Sequence, residues 1–335
     1  MASSSPQNFD LDRFKQKKTS SPGGEPAAPA TGGSAQVQTA PGPRVQVVAK
    51  ERRTQAILAS IETLPSLPSV VTDVLRLAND PDASASDFEA IIRKDQALTA
   101  KVLRLVNSPF FGLKRSVESI PQAIVVLGMK SLRSVVLAAR TSRLLDRQLT
   151  PYGLASQGLW QHSISCAMLG SDLAQRLKAG QAAQEAVFVG GLLHDVGKVV
   201  LAPHLATEQP AFGNALRESP DLCAVETEFL GMSHAEAGAR MGRHWDLPDS
   251  LVRVIERHHV WADPDPADLG LALVRLANEL CNQLGVGLVA GPVEPSPDWE
   301  RLMSGLDLPA GDVLREECRA RLEELAPTFQ EMAAH

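Results

Sequence analysis

At 335 residues, 44% of them hydrophobic and 21% charged, the chain can bury a substantial core and does not need disulfide or metal staples to fold. Its net charge of -6 is unevenly spread: residues 1–50 carry six Lys/Arg against three Asp/Glu, so the remainder is acidic, which argues against a broad nucleic-acid surface there. The four cysteines, Cys166, Cys223, Cys281 and Cys318, lie far apart with no CxxC pair, and read as reduced, buried thiols, not as a disulfide frame or a zinc knuckle.

Met1 to Pro43 contains no apolar run of the kind a signal peptide needs, so export is not expected and the protein is predicted to be cytoplasmic. From Thr19 to Pro43 the residues are mainly Ser, Pro, Gly, Ala and Thr, too poor in large apolar groups to offset the entropy of ordering. Residues 1–52 are therefore predicted to be a disordered tail. Within it, Arg13, Lys15, Lys17 and Lys18 beside Phe14 form a short basic cluster, read as a solvated charge run. The longest apolar stretches, Ala123 to Met129 and Val135 to Ala139, fall far short of the roughly 20 residues that span a bilayer, so no transmembrane segment is expected.

After Ala56 the chain becomes a succession of helical patterns separated by Pro, Gly and Asp-rich breaks, without strand-like alternation, which predicts an all-α fold. The breaker-rich LPSLPS at Leu64 to Ser69 precedes a predicted helix from Val70 to Ala78, stopped by Asn79-Asp80-Pro81. Ser84 or Ser86 can cap the next helix, and Asp95 another that carries Leu98, Val102, Leu105 and Val106. Ser119 to Ala139 reads as two helices broken at Gly128. That spacing resembles a helix-turn-helix, but the second helix offers only Lys130, Arg133 and Arg140 around an apolar face, so DNA binding is not expected.

The chemistry-bearing residues follow. A helix predicted from Leu154 to Leu177 has a stripe that points His162 inward. The next helix, AVFVGGLLHDVGK, has Gly190-Gly191 for close approach of a neighbour and ends near His194-Asp195, with Gly197 predicted to supply the ending. Imidazole beside carboxylate suits Zn, Mn or Fe, so a divalent metal is the candidate cofactor. His234 stands at a helix start, His258-His259 at a helix end, and Asn278 on the inward stripe of a helix from Asp268 to Leu284. His204 and His244 read as surface or loop residues.

The order His162, His194-Asp195, His234 and His258-His259 resembles the ligand order of the HD phosphohydrolases, particularly the HD-GYP cyclic-dinucleotide phosphodiesterases. The fuller match is to the HDOD family. It rests on LPSLPSVV at Leu64, KDQALTAKVLRLVNSPFFG at Lys94, SIPQAIVVLG at Ser119, GGLLHDVGK at Gly190, ETEFLGMSHAEAGARMGRHWDLP at Glu226 and IERHH at Ile255. The resemblance implies an HDOD domain over 64–262, with an N-terminal helical part over 64–150 packed on a degenerate HD-like bundle over 151–262. A helical extension over 263–335 is expected to pack on that bundle. It also implies a regulatory protein of bacterial signalling that binds a protein partner.

If the HD chemistry were retained, His162, His194 and Asp195 would be the first metal ligands and Lys198 would meet phosphate charge. The sequence departs from the pattern at three places. Gln96 replaces a proline at a helix start, where it is acceptable. Asn278, in VRLAN, replaces an aspartate ligand with a neutral oxygen, and Val260-Trp261-Ala262-Asp263 replaces the Gly-Tyr-Pro segment. Three readings stay open at this point: a dry hydrogen-bonded network, a bound metal without turnover, and a metal-dependent phosphohydrolase acting on a nucleotide or cyclic dinucleotide.

Overall fold

Proline suits the first turn of a helix because the amide it lacks would have had no partner there, and Pro43 opens α1, Pro43–Glu62. The computed structural model of the protein describes residues 43–64, 84–154, 157–219, 221–260, 268–288, 293–297 and 299–333. The predicted tail therefore ends earlier than residue 52. Its last ten residues are helical because α1 is anchored further along: Ile57 and Ile61 bury one turn apart, Thr54 Oγ1 donates to Leu230 O (2.7 Å) and Arg53 Nη1 to Phe229 O (3.1 Å). The basic cluster at Arg13 to Lys18, the helix predicted over Val70 to Ala78, and residues 261–263 lie outside the described residues.

The next helices follow their caps. Ser84 and Asp87 form a reciprocal capping box at α2, Ala85–Ile92. Asp95 accepts from Leu98 N (3.0 Å) and opens α3, Gln96–Val106, with Gln96 at its first position. Ser119 caps α4, Ile120–Leu145, which is broken at Gly128 (φ 79°) where the sequence pattern breaks. α3 and α4 bury Leu105, Val102, Leu132 and Val136 in one core that continues into the HD-like helices.

Those helices are α5, Gly158–Arg176; α6, Gln181–Leu193; α7, Lys198–Leu205; α8, Gln209–Glu218; α9, Leu222–Leu230; α10, His234–His244; α11, Asp249–Arg257; and α12, Leu269–Gln283. α5 starts four residues later than predicted, because Leu154 is held in an antiparallel bridge with Leu288 and Gln157 turns the chain at φ 66°. α5 and α6 pack closely: a methyl group on Gly191 would stand 2.9 Å from the Ala167 backbone, so only glycine allows this approach. α12 lies across both. A second core joins Leu169, Val187, Val274 and Leu280 to Trp299 and Leu314, which come from α13, Trp299–Ser304, and α14, Gly311–Ala333.

The chain from Val47 onward forms one compact unit. Among the described residues there are helices and a single isolated bridge, and no strand. One helical run, Gln181–Glu218, is long and apolar enough to cross a membrane by length and composition, but 83% of its apolar window is buried inside the fold. Its hydropathy belongs to the core.

Candidate metal centre

Seven predicted residues converge on one point. His162 comes from the middle of α5, His194 and Asp195 from the turn between α6 and α7, and His234 from the first position of α10. His258 and His259 follow α11, and Asn278 lies on α12. Asp195 is at the middle: its Oδ1 lies 3.1 Å from His234 Nε2 and 3.6 Å from His258 Nε2, its Oδ2 3.4 Å from His194 Nε2 and 3.7 Å from His162 Nε2. Lys198 Nζ donates to Oδ2 at 2.6 Å. His204 is half-buried on α7 and His244 exposed at the end of α10, both outside this group.

The turn that presents His194 and Asp195 is built differently from the prediction. Gly197 is right-handed (φ -62°), so it does not cap α6 as a left-handed residue. Its role is close approach: a methyl group there would lie 2.0 Å from His234 O and 2.6 Å from Gly238 N. The start of α10 is thereby seated against the turn. Ser233 and Glu236 form the capping box that fixes the start itself.

Two imidazoles are oriented alike: His194 Nδ1 lies 2.7 Å from Gly191 O and His258 Nδ1 2.7 Å from Ile255 O. A carbonyl can only accept, so in both Nδ1 carries the hydrogen and Nε2 presents a lone pair to the centre. His162 stands between two acceptors, Asn278 Oδ1 at 3.0 Å from its Nε2 and Val286 O at 3.3 Å from its Nδ1, and the shorter contact puts the hydrogen on Nε2, donated to Asn278. For His234 the outer partner is Glu226, whose Oε2 lies 2.7 Å from both its Nδ1 and its backbone N. Histidines that hold metals are oriented in this way, with the other ring nitrogen donating to a carbonyl or carboxylate.

Three further observations test the fit to a metal. His194 Nε2 is buried without a hydrogen bond. His234 Nε2 lies 3.2 Å from His258 Nε2 and 3.1 Å from His259 Nε2, the spacing of about 3 Å expected for nitrogens that share one ion. Asp195, His234, His258 and His259 can bring one ligand atom each to a common point, as can His162, Cys166 and His194. The donor set fits a divalent metal.

Charge in the centre is set by burial and by these partners. Burial pushes His162 down to about 4 and His258 down to about 3, and holds His259 well below the ordinary imidazole value, so all three are neutral near pH 7. His234 goes the other way: burial opposes its charge, but Glu226 and Asp195 raise it well above the ordinary value. Burial also opposes the charge on Asp195, and Lys198, with the hydrogen bond from His234, holds it well below the carboxylate range. Metal or proton can thus satisfy the carboxylates. Glu226 is fully buried, and nothing in the local sequence VETEFL, where Glu228 stands two residues away, distinguishes it as the partner of His234.

The HDOD domain model matches residues 64–261. The chain belongs to the HDOD family. A Geobacter sulfurreducens HDOD domain protein of unknown function is 25% identical, with a TM-score of 0.67 over 85% of this chain and 99% of that one. A Shewanella amazonensis protein provisionally named a phosphohydrolase is 22% identical (TM-score 0.61; 84% and 98% covered), and a Marinobacter aquaeolei protein provisionally named a signal transduction protein is 21% identical (TM-score 0.64; 86% and 66% covered). The latter two show the fold alone. An uncharacterized Treponema pallidum protein is 27% identical over 207 residues, 61% of this chain, and the chain spans 39% of that relative's length. The HDOD domain carries the whole histidine cluster except Asn278, which lies beyond residue 261 on α12.

Proposed function

We propose that this HDOD protein is a signalling module without phosphohydrolase turnover, which keeps a divalent metal at its buried His/Asp centre and acts by presenting its helical surfaces to a protein partner. The observation that carries this reading is the burial of the centre. His194 is 0% exposed, Asp195 1%, His258 1% and Asn278 6%. A phosphoester must place an oxygen on the metal and leave room for the attacking hydroxide, and ligands so enclosed offer no such face.

Asp195, His234, His258 and His259 would hold the ion on one side, and His162 and His194, whose Nε2 atoms lie 3.7 Å and 3.4 Å from Asp195 Oδ2, on the other. A divalent ion there supplies positive charge and Lewis acidity to the groups around it. The chain's own residues do the rest: Gly191, Ile255 and Glu226 fix the rings, and Lys198 balances Asp195. Held in this way, the centre ties α5, the α6–α7 turn, α10 and α12 into one rigid unit. The weakened anionic supply at Asn278 points in the same direction.

The alternative, hydrolysis of a nucleotide or cyclic dinucleotide, draws on one feature: Lys198 and His259 are only half-buried and mark the edge of the centre nearest solvent. Metal analysis of purified protein, together with an assay on bis-p-nitrophenyl phosphate with added Mn or Fe, separates the two. The expected result is bound metal and no turnover. Metal-dependent turnover that disappears in Asp195→Asn would establish the hydrolase instead.

A further inference from the structure

We infer that Cys166 is a thiolate ligand of this centre, taking over the anionic role that Asn278 cannot fill and making the His162 side of the site selective for zinc-like metals. The inference rests on the metal-binding reading above and adds the identity of a ligand and the class of metal.

Cys166 follows His162 by four residues on α5, so both side chains lie on the same helical face, one turn apart. The Cys166 Sγ is 3.5 Å from His162 Nε2, the nitrogen that also faces Asn278 Oδ1 at 3.0 Å and Asp195 Oδ2 at 3.7 Å. His162, Cys166 and His194 each place a ligand atom within 4.8 Å of the others, and all three are buried. The independent pointer to a ligand is His194 Nε2: it is fully buried, has no hydrogen bond, and is turned inward because Nδ1 donates to Gly191 O. A buried lone pair beside a thiol, an imidazole and a carboxylate is the donor set of a borderline-soft cation.

Charge supports the same assignment. Asp195, Glu226 and a Cys166 thiolate together carry the charge that one divalent ion and Lys198 balance. The neutral amide of Asn278 can contribute a carbonyl oxygen but no charge, and its Oδ1 already accepts from Asn282 Nδ2 at 3.2 Å. On metal uptake the S–H bond breaks, the sulfur keeps the electron pair and forms the metal bond, and the proton leaves to solvent. Cys281 on α12 lies in the same buried core and backs the ligand from outside.

The competing sulfur is Cys223, whose Sγ lies 4.0 Å from His234 Nδ1, but that nitrogen is already held by Glu226. The test uses the full chain, stripped of metal with a chelator and titrated with Co(II), whose bonds to thiolate give intense near-ultraviolet absorption that nitrogen and oxygen ligands do not. The expected result is such a band in the wild type, retained in Cys223→Ser and Cys281→Ser and lost in Cys166→Ser. Zn(II) competition should show affinity falling at least ~10-fold in Cys166→Ser while Mn(II) affinity changes little. The two retained-band variants assign the sulfur even if Cys166→Ser fails to fold. Co(II) binding without a sulfur band, or a band lost in Cys223→Ser, would overturn the inference and leave the metal centre standing; absence of any Co(II) or Zn(II) binding would overturn both.

Discussion

Gly197 and His234 are in backbone contact: a methyl group on Gly197 would stand 2.0 Å from the His234 carbonyl oxygen. The obstacle is main chain, so no rotamer change relieves it. Gly197→Ala must push α10 away from the His194-Asp195 turn, and His234 is the first residue of α10. The expected cost is about 1–3 kcal/mol or more, as for overpacking elsewhere. Urea denaturation measures it. Metal uptake should fall with it, because His234 Nε2 moves from Asp195; a variant as stable as wild type and fully metallated would show that this contact does not seat the centre.

Leu105→Ala tests the packing of the N-terminal helices. Leu105 is 1% exposed on α3, packed in the core with α4, and is not one of the residues of the His/Asp cluster. Truncation should cost about 2–5 kcal/mol with metal content per folded molecule unchanged. A loss below ~1 kcal/mol would mean that the core closes over the cavity.

Stability without metal should fall with acid. His162 and His258 are depressed to about 4 and about 3, so in the fold they stay neutral while the unfolded chain protonates near 6.5. Below that value the unfolded state binds more protons, and stability declines as pH drops toward the folded values. Between about pH 7 and about pH 5 each of the two contributes a loss of roughly 2 kcal/mol. His234 has the opposite sign: its raised pKa gives a contribution fully present below the ordinary imidazole value and lost as pH rises through the folded one. It offsets only part of the acid loss. Asp195, depressed, keeps its contribution until the pH falls below the ordinary carboxylate range. Guanidinium titrations of chelator-treated protein at the two pH values check the sum, and equal or greater stability at the lower pH would contradict it.

The helices and their caps were legible in the sequence because Ser84, Asp95 and Ser119 each precede an apolar-periodic run, and the all-α class followed from them. The inward direction of His162 and Asn278 was legible for the same reason, since a stripe at helical spacing fixes which side chains bury. Other features depend on contacts between distant segments. Nothing local marks Leu154 as bridged to Leu288, which delays α5, or shows that α1 is anchored at Phe229 and Leu230 and so extends into the expected tail. Gly197 shows the limit most directly: a glycine after HD fits a left-handed cap equally well, and only the position of His234 reveals that it serves a close approach.

Asn278→Asp tests whether the neutral amide at this position is what limits metal binding at the centre. Asn278 is 6% exposed, with its Oδ1 3.0 Å from His162 Nε2. The substitution changes charge and scarcely changes volume. In metal-free protein the new carboxylate joins Asp195 and Glu226 without a further cation, so it must take up a proton or destabilise the fold, at a cost of about 1–3 kcal/mol. Added metal should reverse this. Because an ion that binds only the folded state stabilises it in proportion to the logarithm of its concentration over Kd, Tm should rise further with Mn or Zn in the variant than in wild type. The gain should be larger for Mn, the harder ion, than for Zn. Turnover of a phosphodiester is not expected to follow, since burial of Asp195 and His194 is unchanged by the substitution. Melting curves of both proteins, each with and without the two metals, supply the comparison; a variant that melts lower and gains nothing from either metal would sink the metal centre and leave a dry polar network that specifies packing alone.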